Sequence, residues 1–127
     1  MPREHYIDKE RGAIFVMTSG VFTEMEFVAG AALTIADPDF HPDHRVLVDF
    51  SGVTRFEVSA FTLTEFVRKQ AFSKKSRRAF VVGSGFGASF VNYGKASGAV
   101  EQIQIFHDRA GALAWLNEGV PPEKMLT

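Results

Sequence analysis

The sequence predicts a single α/β domain: a mostly parallel five-stranded sheet with one antiparallel edge strand and four helices, in the order β-β-α-β-α-β-α-β-α. Three observations predict it. Strand-like runs alternate with helix-period segments after the first pair of strands, the pattern of parallel strands joined by crossover helices. "RVLVDF" and "RRAFVVG" are nearly continuous apolar runs, as expected of strands buried on both faces. The 127 residues, with 46% hydrophobic and 23% charged content, suffice for one well-packed core.

Each element has a local reason. "EHYIDKE" and "GAIFVMTSG" are β-rich, and Arg11-Gly12 between them supplies the positive φ of a tight hairpin turn. "TEMEFVAGAALTIADP" opens with a capping box, Thr23 followed three residues later by Glu26, and places Val28, Ala31, Ala32 and Ile35 on one face before Pro38 stops the helix. "RVLVDF" is the next strand, followed by a short loop. "SAFTLTEFVRKQAF" is then helical, with Ala60, Leu63, Phe66, Val67 and Ala71 at 3.6-residue spacing. "RRAFVVG" is a strand, and the glycine-weakened "SGFGASFVNYGKASGA" a helix with Phe86, Phe90, Tyr93 and Ser97 on one side. "EQIQIFH" alternates as a strand, and "DRAGALAWLNEG" is a helix with Asp108 as N-cap and Gly119 as C-cap. Residues 1–120 form the domain, and 121–127 are a loosely held tail.

Composition narrows the function classes. A formal net charge of -1 gives no global field for phosphate backbones or anionic lipid, so neither nucleic-acid binding nor membrane insertion is expected. The absence of Cys removes thiolate nucleophiles, disulfides and Cys-ligated metals, which fits a reducing compartment; the cytoplasm is the expected location. No run approaches the roughly 20 apolar residues that span a bilayer.

The central stretch "VLVDFSGVTRFEVSAFTL" resembles the core segment of STAS domains, the family of the anti-sigma-factor antagonist SpoIIAA. Its pattern there is an apolar strand, Asp, Leu, Ser, Gly, Val, then Asp-Ser-Ser-Gly opening a helix. Glu57 stands at the Asp of that second motif, Val58 at a position that is often small, and Ala60 at the Gly. The C-terminal "QIQIFHDRAGALAWL" resembles a group of small bacterial SpoIIAA-like proteins, related in fold to lipid-binding SEC14-type domains. The resemblance implies a SpoIIAA-like fold and a non-enzymatic regulatory or protein-interaction module. It implies a protein partner, a kinase or an anti-sigma-type factor, and places the phosphorylatable serine at Ser59, with Asp49 and Glu57 beside it in the motif. The alternative it allows is a SEC14-like binder of an apolar small molecule or lipid.

Read from the residues alone, Ser59 is a helix N-cap whose loss costs typically about 1 kcal/mol. The same helix start would also stabilise a phosphate through its free N–H groups and dipole. Asp49 either caps the turn after its strand or offers a ligand group at the carboxyl edge of the sheet. Phe61, Glu65, Arg68 and Phe72 recur at i, i+4, i+7 and i+11, away from Leu63 and Val67, and so form a candidate partner or homodimer surface unless a neighbouring segment covers them.

The remaining motifs have plain readings. "VVGSGFGA" superficially echoes a dinucleotide fingerprint, but Ala88 stands at the third glycine, and a tight turn explains it. "DPDFHPDHR" gathers Asp37, Asp39, His41, Asp43 and His44 without a metal-site spacing, and reads as a solvated loop. "KKSRR" reads as a solvated cationic surface, and Trp115 as a core anchor. No nucleophile elbow or nucleophile–base pair supports an enzyme, and no cofactor or metal is expected.

Overall fold

The computed structural model describes residues 3–59, 61, 62, 65, 72–83 and 102–127. They form a five-stranded mixed sheet of β1 (Arg3–Asp8), β2 (Ala13–Thr23), β3 (Arg45–Glu57), β4 (Arg78–Val82) and β5 (Ile103–Phe106), with α1 (Glu24–Ala36) and α2 (Arg109–Leu116). Strand order is β1-β2-β3-β4-β5; β1 pairs antiparallel with β2 and all other pairs are parallel. Among the described residues there are thus two α-helices, not four. Of the other two expected helices, the one over 84–99 lies outside the described residues, and the one after Ser59 is represented by helical Phe61, Thr62 and Glu65.

The β1–β2 hairpin forms where expected. Gly12 has φ +70°, and Asp8 closes the turn by accepting the Arg11 backbone N–H at 3.1 Å and its guanidinium at 2.9 Å. β2 then runs on to Thr23 through Gly20, at φ +71°, a conformation that favours glycine. β3 likewise exceeds "RVLVDF". The stretch expected to be a loop, from Ser51 to Glu57, is strand, because the prolonged β2 supplies it with a partner up to the Thr23↔Glu57 pair. Ten steps along β2 are matched by twelve along β3, and the two extra residues are absorbed at register shifts between Met17 and Ser19 and between Gly20 and Val21.

The sheet is covered on both sides. On one face Ile14, Val16, Val46, Val48 and Phe50 pack with Phe27 of α1. On the other, Ala13, Leu47, Ala79 and Val81 pack with Ala112 and Leu116 of α2. Adjacent residues of β3 therefore point into opposite cores, as the continuous apolar run requires.

Both helix starts are as read: Thr23 and Glu26 form the reciprocal capping box, and Asp108 accepts the Gly111 N–H at 2.6 Å. The facing of α1 is not. Phe27, Gly30 and Thr34 are its buried residues, while Val28, Ala32 and Ile35, expected together on an inward face, are exposed. Phe27 packs into the cluster of Ile14, Val16, Val46, Val48 and Phe50, and this anchor turns the Phe27–Gly30–Thr34 stripe towards the sheet. α2 ends at Asn117 rather than at Gly119, whose φ of +74° lies in the turn beyond.

Two further expectations are corrected. "KKSRR" is a solvated surface only at Lys74 and Lys75: Ser76 and Arg78 are buried, Ser76 donating to the His44 carbonyl at 2.6 Å and Arg78 lying over the Phe72 ring. The tail is held, not loose. A 3-10 turn at Pro122–Lys124 delivers Leu126 into the α2-side core, and Asn117 accepts the Leu126 N–H at 2.7 Å while donating to its carbonyl at 2.9 Å.

Arg45, at the start of β3, ties these pieces together. Its guanidinium donates to the carbonyls of Arg11 at 2.5 Å, Lys124 at 2.8 Å and Leu116 at 3.2 Å, and to Asn117 Oδ1 at 3.3 Å. A lysine has the charge but not the fork that serves four acceptors at once. Arg45→Lys is expected to lower stability by about 2 kcal/mol; an unchanged urea midpoint would show that the carbonyls are served equally well by water.

Candidate functional site

The ladder between β2 and β3 ends with Thr23 opposite Glu57, and each strand runs directly into a helix start. Glu24, the first residue of α1, therefore lies beside Ser59. Its Oε1 accepts the Ser59 backbone N–H at 2.8 Å. The Ser59 hydroxyl in turn accepts the Thr62 N–H at 3.1 Å and donates to the Thr62 hydroxyl at 3.0 Å. This is the N-cap arrangement, a side-chain oxygen on the N–H three residues ahead.

Ser59 is thus an exposed cap whose own N–H is held by the Glu24 carboxylate of α1. A contact across 35 residues has no local signal, and nothing in the sequence pairs Glu24 with Ser59. The Glu24 carboxyl is held below the ordinary value of 4.5, first by the Ser59 backbone N–H, then by the Ser59 and Thr62 side chains.

The other candidate residues distribute around this contact. Glu57 is exposed and paired with Arg55 at 2.7 Å along the same strand. Asp49 does not join them: it sits within β3, paired with Met17 and Val81, and six residues of β2 separate its level from that of Glu57, roughly 20 Å of strand. Its Oδ1 accepts the Ser51 N–H at 2.8 Å and the Ser51 hydroxyl at 2.5 Å, a local turn-type cap within the bulged strand.

The aromatic stripe divides. Phe61 is 75% exposed, two residues after Ser59. Phe72 is half-buried, edge-on to Phe40 at 5.5 Å and under the Arg78 guanidinium, because the segment that precedes β3 covers it. Glu65 is half-buried, and Arg68 lies outside the described residues.

The remaining motifs also find their places. In "DPDFHPDHR", Asp37 holds His5 Nε2 at 2.8 Å and the Asp39 N–H at 2.9 Å, Asp43 holds the Ser73 hydroxyl, and His44 meets the Asp39 carbonyl at 3.1 Å; the polar groups brace the loop. Gly83 follows β4, and the rest of the glycine-rich turn lies outside the described residues. Strands β1 to β5 follow sheet order without reversal, so the described sheet has no topological switch point of the kind at which nucleotides bind. Trp115 meets Phe106 at a tilt, with ring centres 5.8 Å apart, and has the Arg77 guanidinium 5.0 Å over its ring, an anchor at the edge of the α2-side core. The Phe-rich interior consists of rings in mutual contact: Phe22 lies 5.4–6.1 Å from Phe27, Phe50 and Phe56, and Phe50 lies 6.0 Å from Phe80. A shallow polar groove of about 300 Å³, which the sequence did not signal, lies on the α2 side between Tyr6, Phe15 and Arg109.

No family model matches this chain, and a search of curated proteins found no match to it. What the fold supports is a small α/β domain with a mixed five-stranded sheet. Among the described residues, no helix is long and apolar enough to cross a membrane.

The Glu24 carboxyl gives a pH test. A carboxyl held below its ordinary value adds stability that is complete above that value, 4.5, and is lost as pH falls through the lowered native one. Wild type should therefore exceed Glu24→Gln in stability at neutral pH, and the gap should close on acidification below that range. Urea midpoints measured across this pH series check it; a gap that is absent at neutral pH, or that survives in acid, would show that the carboxylate does not hold Ser59.

Proposed function

We propose that this domain is a non-enzymatic regulatory module of the SpoIIAA-like type, which docks a protein partner on the surface around Ser59 and is modulated by phosphorylation there. The observation that carries this reading is the Glu24–Ser59 bond: an exposed serine, its N–H held by a neighbouring carboxylate, beside an exposed Phe61. A phosphate on Ser59 would bring a charge of about -1.5 to -2 next to the Glu24 carboxylate. The two anions repel, so the modification would weaken the tie between the two helix starts and alter the surface that carries Phe61. The apolar-ligand alternative has less support, since the phenylalanines near α1 contact one another.

Mass spectrometry of the protein isolated from its own cells, together with affinity capture by wild type, Ser59→Ala and Ser59→Asp, tests the proposal. Phosphate located to Ser59, with a partner held by wild type and Ser59→Ala but released by Ser59→Asp, is the expected outcome. Absence of phosphate in every growth state, together with equal capture by all three forms, would reduce Ser59 to a helix cap.

A further inference from the structure

The α2 side of the sheet is covered unevenly. α2 packs over β3, β4 and β5, and the β1–β2 end of the same face is left to the side chains of the hairpin. Tyr6 pairs with Phe15 and Asp8 with Ala13 in the β1–β2 ladder, so these four side chains point to one side, that on which Ala13 and Phe15 join the α2 core. Between the hairpin, the first turn of α2 and the C-terminal segment lies the groove of about 300 Å³.

Its lining has three parts of different chemistry. The floor is aromatic: the Tyr6 and Phe15 rings stack with centres 6.3 Å apart, and Tyr6 is 64% exposed. One wall is cationic. Arg109 holds its guanidinium 5.8 Å from the centre of the Phe15 ring, and has neither a carboxylate nor a carbonyl partner among the described residues. The far end is a closed ion pair, Arg11 on Asp8 at 2.9 Å, whose charges cancel. One cation is therefore left over beside two ring faces.

That combination selects a ligand chemistry. The guanidinium fork matches two oxygens of a carboxylate or phosphate, and the ring faces match a flat apolar body. A volume of about 300 Å³ stands at the lower end of small-molecule sites, too small for a dinucleotide or a long acyl chain and sufficient for one ring with a short anionic arm. We propose that this groove binds a small aromatic anion, with Arg109 on the carboxylate or phosphate and with Tyr6 and Phe15 against the ring. The groove is shallow, so one ring face and one charge hold the ligand, and binding is weak and reversible. It lies on the opposite face of the sheet from α1, and the inference is independent of any modification of Ser59.

NMR amide shifts of the wild-type chain test it. Benzoate and phenyl phosphate should shift Tyr6, Phe15 and Arg109 in a saturable way. Acetate and inorganic phosphate, which carry the charge without the ring, and benzyl alcohol, which carries the ring without the charge, should bind at least about ten-fold more weakly. Arg109→Gln should lose the preference for benzoate over benzyl alcohol, and Tyr6→Ala the preference for benzoate over acetate. The panel on the wild-type chain decides the matter even if a variant fails to fold. Acetate or inorganic phosphate binding as tightly as the ring anions would reduce Arg109 to an adventitious ion contact and overturn the proposal. So would ring anions that leave the groove amides unshifted, or a folded Arg109→Gln that binds benzoate as wild type does.

Discussion

The parallel ladder between β2 and β3 positions the other elements of this fold. It runs from Ala13↔Arg45 to Thr23↔Glu57 and outlasts β4, whose pairing with β3 stops at Phe50↔Val82. At its beginning it sets Arg45 among the carbonyls of the hairpin turn, the end of α2 and the C-terminal 3-10 turn. At its far end it delivers two helix starts side by side. The two extra residues in β3 adjust the strand so that Glu57, and through it Ser59, arrives level with α1.

That placement gives the site its chemistry. Neither Glu24 nor Ser59 is unusual on its own, an acid in a first helical turn and a serine cap. Brought together, they make an exposed hydroxyl whose surroundings already hold a negative charge, so that a second negative charge at Ser59 would act on the link between two elements. The same face of the sheet holds the Phe22, Phe27, Phe50 and Phe56 rings, which fix α1 by its inward side and leave the opposite side uncovered among the described residues.

Burial here follows sheet geometry more than local polarity. Ser76 and Arg78 lie in a stretch of cationic sequence, yet β4 begins at Arg78 and its pairing with β3 and β5 takes the residue inside, over Phe72. Conversely Val28, Leu33 and Ile35 lie in an apolar stretch and remain outside, since a helix lying on one sheet can press only one stripe against it.

Features that are local or periodic can be read directly from the residues. The hairpin turn at Gly12 follows from a positive φ, the start of α1 from the Thr23–Glu26 box, the start of α2 from Asp108, and the doubly buried strands from unbroken apolar runs; each is a property of a few neighbouring residues. The serine cap at Ser59 was legible for the same reason. The long-range features required the folded chain: the extension of β3 through an expected loop, the rotation of α1, the cover over Phe72, the anchoring of Leu126 and the Glu24–Ser59 bond. An α-helix that is apolar on every side has no sequence signal for which side turns inward, and a strand's length depends on whether a partner strand is there to receive its hydrogen bonds.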